Sequence, residues 1–264
     1  MAHLLSPGSR SPLPNDLDHA ALAQARIELA ACLREAARLG FSEGICNHFS
    51  LMAPGRNDLF LVNPLGLAFE EVTATSLLLC TIDGAIVQGE GEPEATAFFI
   101  HARIHAAHAR ARAVFHTHMP SATALAMRDL PENELPLAFA GQTALKFWGR
   151  VALDRNYQGL ALDTTEGDRL AGACGQADIV FLQNHGVLVL GASAAEAWDD
   201  LYYLERAAEV QLRAETGGAR LARIDPATAS RTASQMREGD SESARLHLAS
   251  VLRRLSRTDP GFDG

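Results

Sequence analysis

Short apolar runs gathered into clusters, with longer amphipathic stretches between them, constrain this chain more than any other feature of its sequence. Phe49–Ala53 and Leu59–Val62 read as strands on either side of a turn at Pro54-Gly55-Arg56-Asn57-Asp58. Leu77–Ile82 and Ala85–Val87 flank Asp83-Gly84, a two-residue hairpin signal. Ala113–Thr117, Ile179–Leu182 and Val187–Leu190 are further apolar strand segments. From Asp18 to Leu39 the residues Leu22, Ala25, Leu29, Cys32, Ala36 and Leu39 recur at helical spacing, with Gly40 placed to stop the helix. Further helices are expected from Pro93 to about Ala111, over Ala122–Met127, from a start at Thr165 and Asp168 to Gly172–Gly175, and behind the capping box Ser193/Glu196 as far as Gly217-Gly218. Gln142–Asp163 carries no clear pattern. Helices alternating with grouped strands predict a layered αβα domain around one sheet.

Three segments follow from composition. Residues 1–17, with Pro and Ser but no continuous apolar stretch, read as a flexible tail rather than a signal peptide. Residues 18–217 form the domain, and 218–264 turn poor in large apolar residues and rich in Arg, Ser and Thr, apart from an amphipathic stretch around Leu246–Leu255. That last segment reads as a C-terminal extension suited to wrapping a neighbour. A chain of 264 residues buries roughly 70–75% of its unfolded surface and needs no metal merely to fold, so a bound metal would serve chemistry. The net charge of −9 and the absence of a Lys/Arg run argue against nucleic acid and anionic membranes as partners. No stretch approaches the roughly 20 apolar residues of a membrane span. Cys32, Cys46, Cys80 and Cys174 form no CxxC pair, and their apolar flanks read as small buried thiols in a reducing cytoplasm.

His116 and His118 stand at i and i+2 on a segment with strand character, which turns both to one face at a separation suited to gripping one metal. His185 follows an apolar strand and precedes Gly186, so its ring can leave the strand end. Three imidazoles with open positions make a catalytic pattern, compatible with zinc, cobalt, iron or manganese. Alternatives remain at this point: among ten histidines a His-x-His is unsurprising, and a turn histidine is often satisfied by backbone.

The surrounding residues narrow the choice. Phe115-His116-Thr117-His118-Met119-Pro120-x-Ala122-Thr123-Ala124-Leu125 and Asn184-His185-Gly186-Val187-Leu188-Val189-x-Gly191 closely resemble the class II aldolase/adducin family. So do Asn63-Pro64-x-Gly66-Leu67 with Phe69-Glu70-Glu71, and Glu196-Ala197 with Leu204-Glu205. The resemblance implies a three-layer αβα sandwich around a central, mainly antiparallel β-sheet, a homotetramer with sites at subunit contacts, and one divalent transition metal (Zn²⁺ or Mn²⁺, with Co²⁺ or Fe²⁺ as alternatives) held by His116, His118 and His185.

Two departures separate this chain from the sugar-phosphate aldolases it resembles. Their pattern has a catalytic glutamate four residues before a histidine; here that histidine is His101 and the glutamate position is Ala97. Glu94, one turn earlier, is the candidate catalytic carboxylate, with a plain N-terminal helix carboxylate as its alternative. Their phosphate-seating Gly-Asn-x-Ser is replaced by Cys46-Asn47-His48-Phe49-Ser50, an adducin-like arrangement that leaves His48 and Ser50 as substrate contacts alongside Asn63 and Gly66, with a strand-edge histidine and a solvated serine as the alternative for the first two. His101 and His105 are expected to pack behind the site and His108 to be solvated.

The function these readings predict is a metal-dependent lyase that makes or breaks a C–C bond next to a carbonyl, by aldol cleavage or decarboxylation of a small oxo or hydroxy acid, through an enolate that the metal stabilises. The alternative is a non-catalytic adducin-like binding module, which would have no need of three metal ligands.

Overall fold

The computed structural model describes residues 10–161 and 163–264. Its elements run α1 (His19–Arg38), β1 (His48–Met52), β2 (Leu59–Val62), β3 (Leu78–Thr81), β4 (Ile86–Gln88), α2 (Ala95–Ala107), β5 (Ala113–Thr117), α3 (Pro120–Ala126), α4 (Gln142–Leu145), β6 (Val151–Asp154), α5 (Thr164–Cys174), β7 (Ile179–Leu182), β8 (Gly186–Gly191), α6 (Ala194–Glu215), α7 (Pro226–Arg237) and α8 (Asp240–Thr258). Local chemistry sets several of these bounds. Asp18 caps α1 by accepting from Ala21 N at 3.0 Å, and Ser193 caps α6 by accepting from Glu196 N at 3.2 Å.

The strands form one sheet in the order β4-β3-β2-β1-β5-β8-β7-β6. Every pairing is antiparallel except the parallel contact of β6 with β7. Alternation along each strand divides the side chains between two helical layers. Phe49, Leu61, Phe115, Phe181 and Val189 face α1, α6 and α8, packing on Leu29, Trp198, Leu201 and Leu248. Phe49 and Phe115 stack across β1 and β5 with centroids 4.0 Å apart. Val114, Val180 and Leu188 face the opposite way, onto Ile100 and Ile104 of α2 and Leu170 of α5. Helices α2 and α5 touch closely because of Gly167: a Cβ there would lie 2.4 Å from the Phe99 carbonyl oxygen. On this α2 face the apolar pattern breaks at the β1–β5 pair, where His48, Ser50 and His116 lie buried against His101 and His105.

Several details differ from the sequence expectations. Within Gln142–Asp163, β6 is a four-residue, half-buried edge strand, too short to show a period of its own. Helix α2 starts at Ala95 behind the cap Glu94 and ends at Ala107, short of Ala111. His108 is not solvated but donates Nε2–H to the Ala171 carbonyl at 2.7 Å. Asp163 rather than Thr165 begins α5, and Asp168 instead pairs with Arg103 of α2. Cys46 is exposed, whereas Cys32, Cys80 and Cys174 are buried. Residues 1–9 of the expected tail lie outside the described residues; beyond them, Ser11 N donates to Ile86 O at 3.1 Å along β4. After Gly218 the chain folds onto its own domain, since Leu248, Val251 and Leu255 of α8 share one helix face and join the core of α1 and α6. No described helix is long and apolar enough to cross a membrane.

Candidate metal centre

His116 sits on β5, opposite His48 of β1, and so faces α2. One residue past the end of β5, His118 is placed by the turn into α3, and that turn is anchored from a distance. The buried Glu205 of α6 accepts from Ser121 N at 2.8 Å and Ala122 N at 2.9 Å, satisfying amides at the start of α3 that have no partner within the helix. The third histidine comes from the β7–β8 turn. Asn184 there adopts φ 61°, a left-handed conformation that asparagine tolerates better than most residues. Gly186 is required by crowding: a Cβ would lie 2.6 Å from the Thr117 carbonyl oxygen and 2.8 Å from Cδ2 of His118. The Asn-His-Gly sequence thus brings His185 against His118 without a side chain in between.

The ligand atoms of His116, His118 and His185 all lie within 4.8 Å of one another. His116 donates Nδ1–H to the Val187 carbonyl at 3.0 Å, which leaves Nε2 with a free lone pair. His118 binds Glu43 Oε2 through Nδ1 at 2.5 Å, and its Nε2 is sealed from solvent with no hydrogen-bond partner. A buried nitrogen left unsatisfied costs roughly 1–3 kcal/mol, a cost that a coordinated cation removes. Burial, reinforced by His48, His185 and His118, holds His116 well below its ordinary pKa; burial and His118 push His185 down to about 4. Three imidazoles converging on one point, His116 and His185 held neutral by burial and His118 with an orphaned Nε2, are a donor set that fits a divalent ion of the zinc or manganese type.

The centre lies at a cavity of about 470 Å³. Four carboxylates line it, Glu43, Glu94, Asp154 and Glu166, against a single arginine, Arg169. That arginine is already engaged: it binds both oxygens of Asp154 at 2.8 Å and both of Glu166 at 2.7 and 2.8 Å. Tyr157 and the exposed Ile45, Leu65 and Leu160 add an apolar rim.

Of the four residues expected to contact substrate, the structure brings His48 to the cavity wall. Ser50 is fully buried behind it. Asn63 spends its amide on the backbone, accepting from Phe49 N at 3.0 Å and donating to Asn47 O at 3.2 Å, and so braces β1 against the loop after β2. Gly66 shapes that loop with φ 90° and is not among the lining residues. Glu94 does line the cavity, while its Oε2 accepts from Ala97 N at 2.8 Å as the cap of α2 and also binds Thr96. Ala97 is fully buried. Glu43, Tyr157 and the Arg169 cluster had no signal in the sequence, because loops deliver Glu43 and Tyr157, and Arg169 and Glu166 of α5 meet Asp154 only through the unread edge strand β6.

Behind the wall, His48 Nδ1 meets His101 Nε2 at 2.7 Å, His101 Nδ1 meets Ser50 Oγ at 2.5 Å, and Ser50 Oγ meets His105 Nε2 at 2.7 Å. Burial lowers His48 to about 3 and His105 to about 4 from an ordinary 6.5, and holds His101 well below it. Below about pH 6.5 the unfolded chain therefore binds protons that the folded chain refuses, and stability falls as pH falls. Chelator-treated protein should show a urea midpoint that declines steadily from pH 6.5 toward pH 4, the ordinary and the lowered values of His105. A flat midpoint across that window would show that these imidazoles are already charged in the fold.

Comparison with known proteins gives the family and the fold. The model of the class II aldolase and adducin N-terminal domain matches residues 27–212. The chain is 34% identical over 243 residues to a Caulobacter vibrioides protein named for the class 2 aldolases, covering 90% of this chain and 91% of the relative. It is 32% identical over 195 residues to the decarboxylase NovR of Streptomyces niveus, covering 72% of this chain and 69% of that one. The solved L-fuculose 1-phosphate aldolase of Glaciozyma antarctica superposes with a TM-score of 0.79 at 27% identity, covering 93% of this chain and 94% of the other. With the αβα architecture, the histidine pair at the end of β5 and the histidine of the β7–β8 turn all in place, the chain belongs to the class II aldolase and adducin N-terminal domain family.

Proposed function

We propose that this chain is a metal-dependent lyase that makes or breaks a C–C bond next to a carbonyl in a small oxo or hydroxy acid carrying no phosphate. The observation that carries this reading is the three-histidine centre set in a cavity with four carboxylates and one fully paired arginine. Bound there, a divalent ion would polarise a carbonyl oxygen and accept negative charge developing on it. The chain's own residues supply the rest. His116, His118 and His185 hold the ion, Glu43 orients His118, and Tyr157 with the apolar rim offers a surface to an uncharged substrate body. Away from the ion, a phosphate dianion would meet like charge on most sides and no free cationic side chain among the lining residues, whereas a carboxylate adjacent to the oxo or hydroxy group could share the ion with it. The named activities of the relatives, a decarboxylase and a fuculose-phosphate aldolase, span both reactions open to such a centre. A non-catalytic module would gain nothing from sealing His118 Nε2 without a partner. The assembly we propose is a homotetramer, in which a neighbouring copy would cover Ile45, Leu65 and Leu160 at the cavity mouth.

The test is metal analysis followed by a screen of phosphate-free oxo and hydroxy acids beside fuculose- and ribulose-type phosphates, under saturating Mn²⁺, Zn²⁺ or Co²⁺. Turnover of the acids alone is expected. Glu94→Gln is expected to change turnover by only a few-fold and to cost about 0.3–1 kcal/mol of stability through the lost charge at the α2 N-terminus. Robust cleavage of a sugar phosphate that Glu94→Gln abolishes would overturn the proposal and restore a conventional aldolase.

A further inference from the structure

The hydrogen bonds behind His48 run in one direction, and they end on a group that can only accept. His105 Nδ1 lies 2.6 Å from the Ala111 carbonyl, so Nδ1 carries the proton and His105 Nε2 is a bare acceptor. The hydrogen at the next contact must then come from Ser50, whose hydroxyl lies 2.7 Å from that nitrogen and 3.4 Å from its other candidate acceptor, the Val114 carbonyl. With its single hydrogen committed, Ser50 accepts from His101 Nδ1–H, and His101 Nε2 in turn accepts from His48 Nδ1–H. Each imidazole in the chain is thereby a neutral Nδ1–H tautomer. His48 alone of the three lines the cavity, and among the described residues no protein group hydrogen-bonds its Nε2.

We propose that His48 is the proton acceptor of this site, held by the Ala111 carbonyl, His105, Ser50 and His101 in the tautomer that offers a bare Nε2 to a substrate hydroxyl. This deepens the lyase reading and rests on it. The role left vacant at Ala97 passes from a helix carboxylate to an imidazole on β1, whose ring centroid lies 4.8 Å from that of His116. The chemistry it suits is cleavage of a 3-hydroxy carbonyl compound. The O–H bond breaks with its proton moving to Nε2, the C–C bond breaks as the new C=O forms, and the released electron pair passes to the carbon beside the retained carbonyl. That carbon then takes the proton back from His48, so no other reactant is consumed. Burial of His101 and His105 favours their neutral forms and so preserves the direction of the chain. His101, Ser50 and His105 act through His48 as positioning residues.

The experiment is long-range ¹H–¹⁵N correlation of the imidazoles in the zinc-loaded protein, alongside steady-state kinetics on 4-hydroxy-2-oxo acids, whose hydroxyl lies β to the oxo group. His48, His101 and His105 are expected to show protonated Nδ1 and unprotonated Nε2. Ser50→Ala should leave His48 in mixed tautomers and lower kcat roughly tenfold or more, with KM and zinc content unchanged, while Ser50→Thr restores both the tautomer and the rate. His48→Ala should retain zinc and lower kcat roughly tenfold or more, short of the full 10²–10⁴ of a base that titrates near the working pH, because burial holds His48 down at about 3. A His48 carrying its proton on Nε2 in the parent, or parental kcat in His48→Ala, would overturn the proposal. Zinc-loaded parent that turns over none of the acids would defeat the lyase reading and the acceptor role with it, whereas the tautomer spectrum separately decides the direction of the hydrogen bonds.

Discussion

Replacing His116 or His185 by alanine is expected to reduce bound metal from about one ion per chain to a trace and to abolish turnover, while the far-ultraviolet circular dichroism stays that of the parent. Two imidazoles do not enclose an ion as three do, and the ligand atoms that now lie within 4.8 Å of one another would be left one short. The fold should survive because the core does not run through the centre. The apolar layers of α1, α6 and α8 on one face, and of α2 and α5 on the other, pack without it. His185 is the cleaner site, being partly exposed at a turn, whereas His116 is buried on β5 and its removal also leaves a small cavity. Glu43→Gln should be milder, weakening metal affinity roughly 10–100-fold by loosening His118. Equilibrium dialysis with metal quantitation decides the matter: full metal in both alanine variants would show that the three histidines are not the ligands.

The second large effect concerns stability. Lys146→Met is expected to destabilise the chain by roughly 3–5 kcal/mol, seen as a marked fall in urea midpoint, because it strands buried carboxylates. Lys146 Nζ lies 3.0 Å from Asp199 and 3.2 Å from Asp200 and also binds Asp240, joining α4, α6 and the start of α8. Burial works to raise Asp199, but the hydrogen bond from His247 and the charge of Lys146 outweigh it and hold its carboxyl below the ordinary value. Asp200, the more deeply buried, ends above its ordinary value despite Arg150 and Lys146. Removing the lysine leaves Arg150 on Asp200 at 2.6 Å and His247 on Asp199 at 2.7 Å, so the effect should lie toward the lower end of the range. A midpoint within error of the parent would mean that the cluster is solvated in solution.

What could be read from the sequence alone was whatever is written at the period of the backbone. The alternation of Phe49, Leu51 and their neighbours declared a strand, the spacing of Leu22, Ala25 and Leu29 a helix, and Asp18 and Ser193 its start. The clustering of the three histidines was legible for the same reason. His116 and His118 are two residues apart, and Asn184-His185-Gly186 carries its left-handed turn and its close approach within three residues. Tertiary structure decided what depends on chain segments meeting from far apart. It set β6 parallel to β7 at the sheet edge, folded α8 back on α1 and α6, and brought Glu43 to His118 across 75 residues. It also turned Ser50, His101 and His105 from an apparent substrate contact and two packing residues into one directed chain behind His48. A side chain's partner there is set by packing of the sheet against α2, and such packing leaves no local period for the sequence to display.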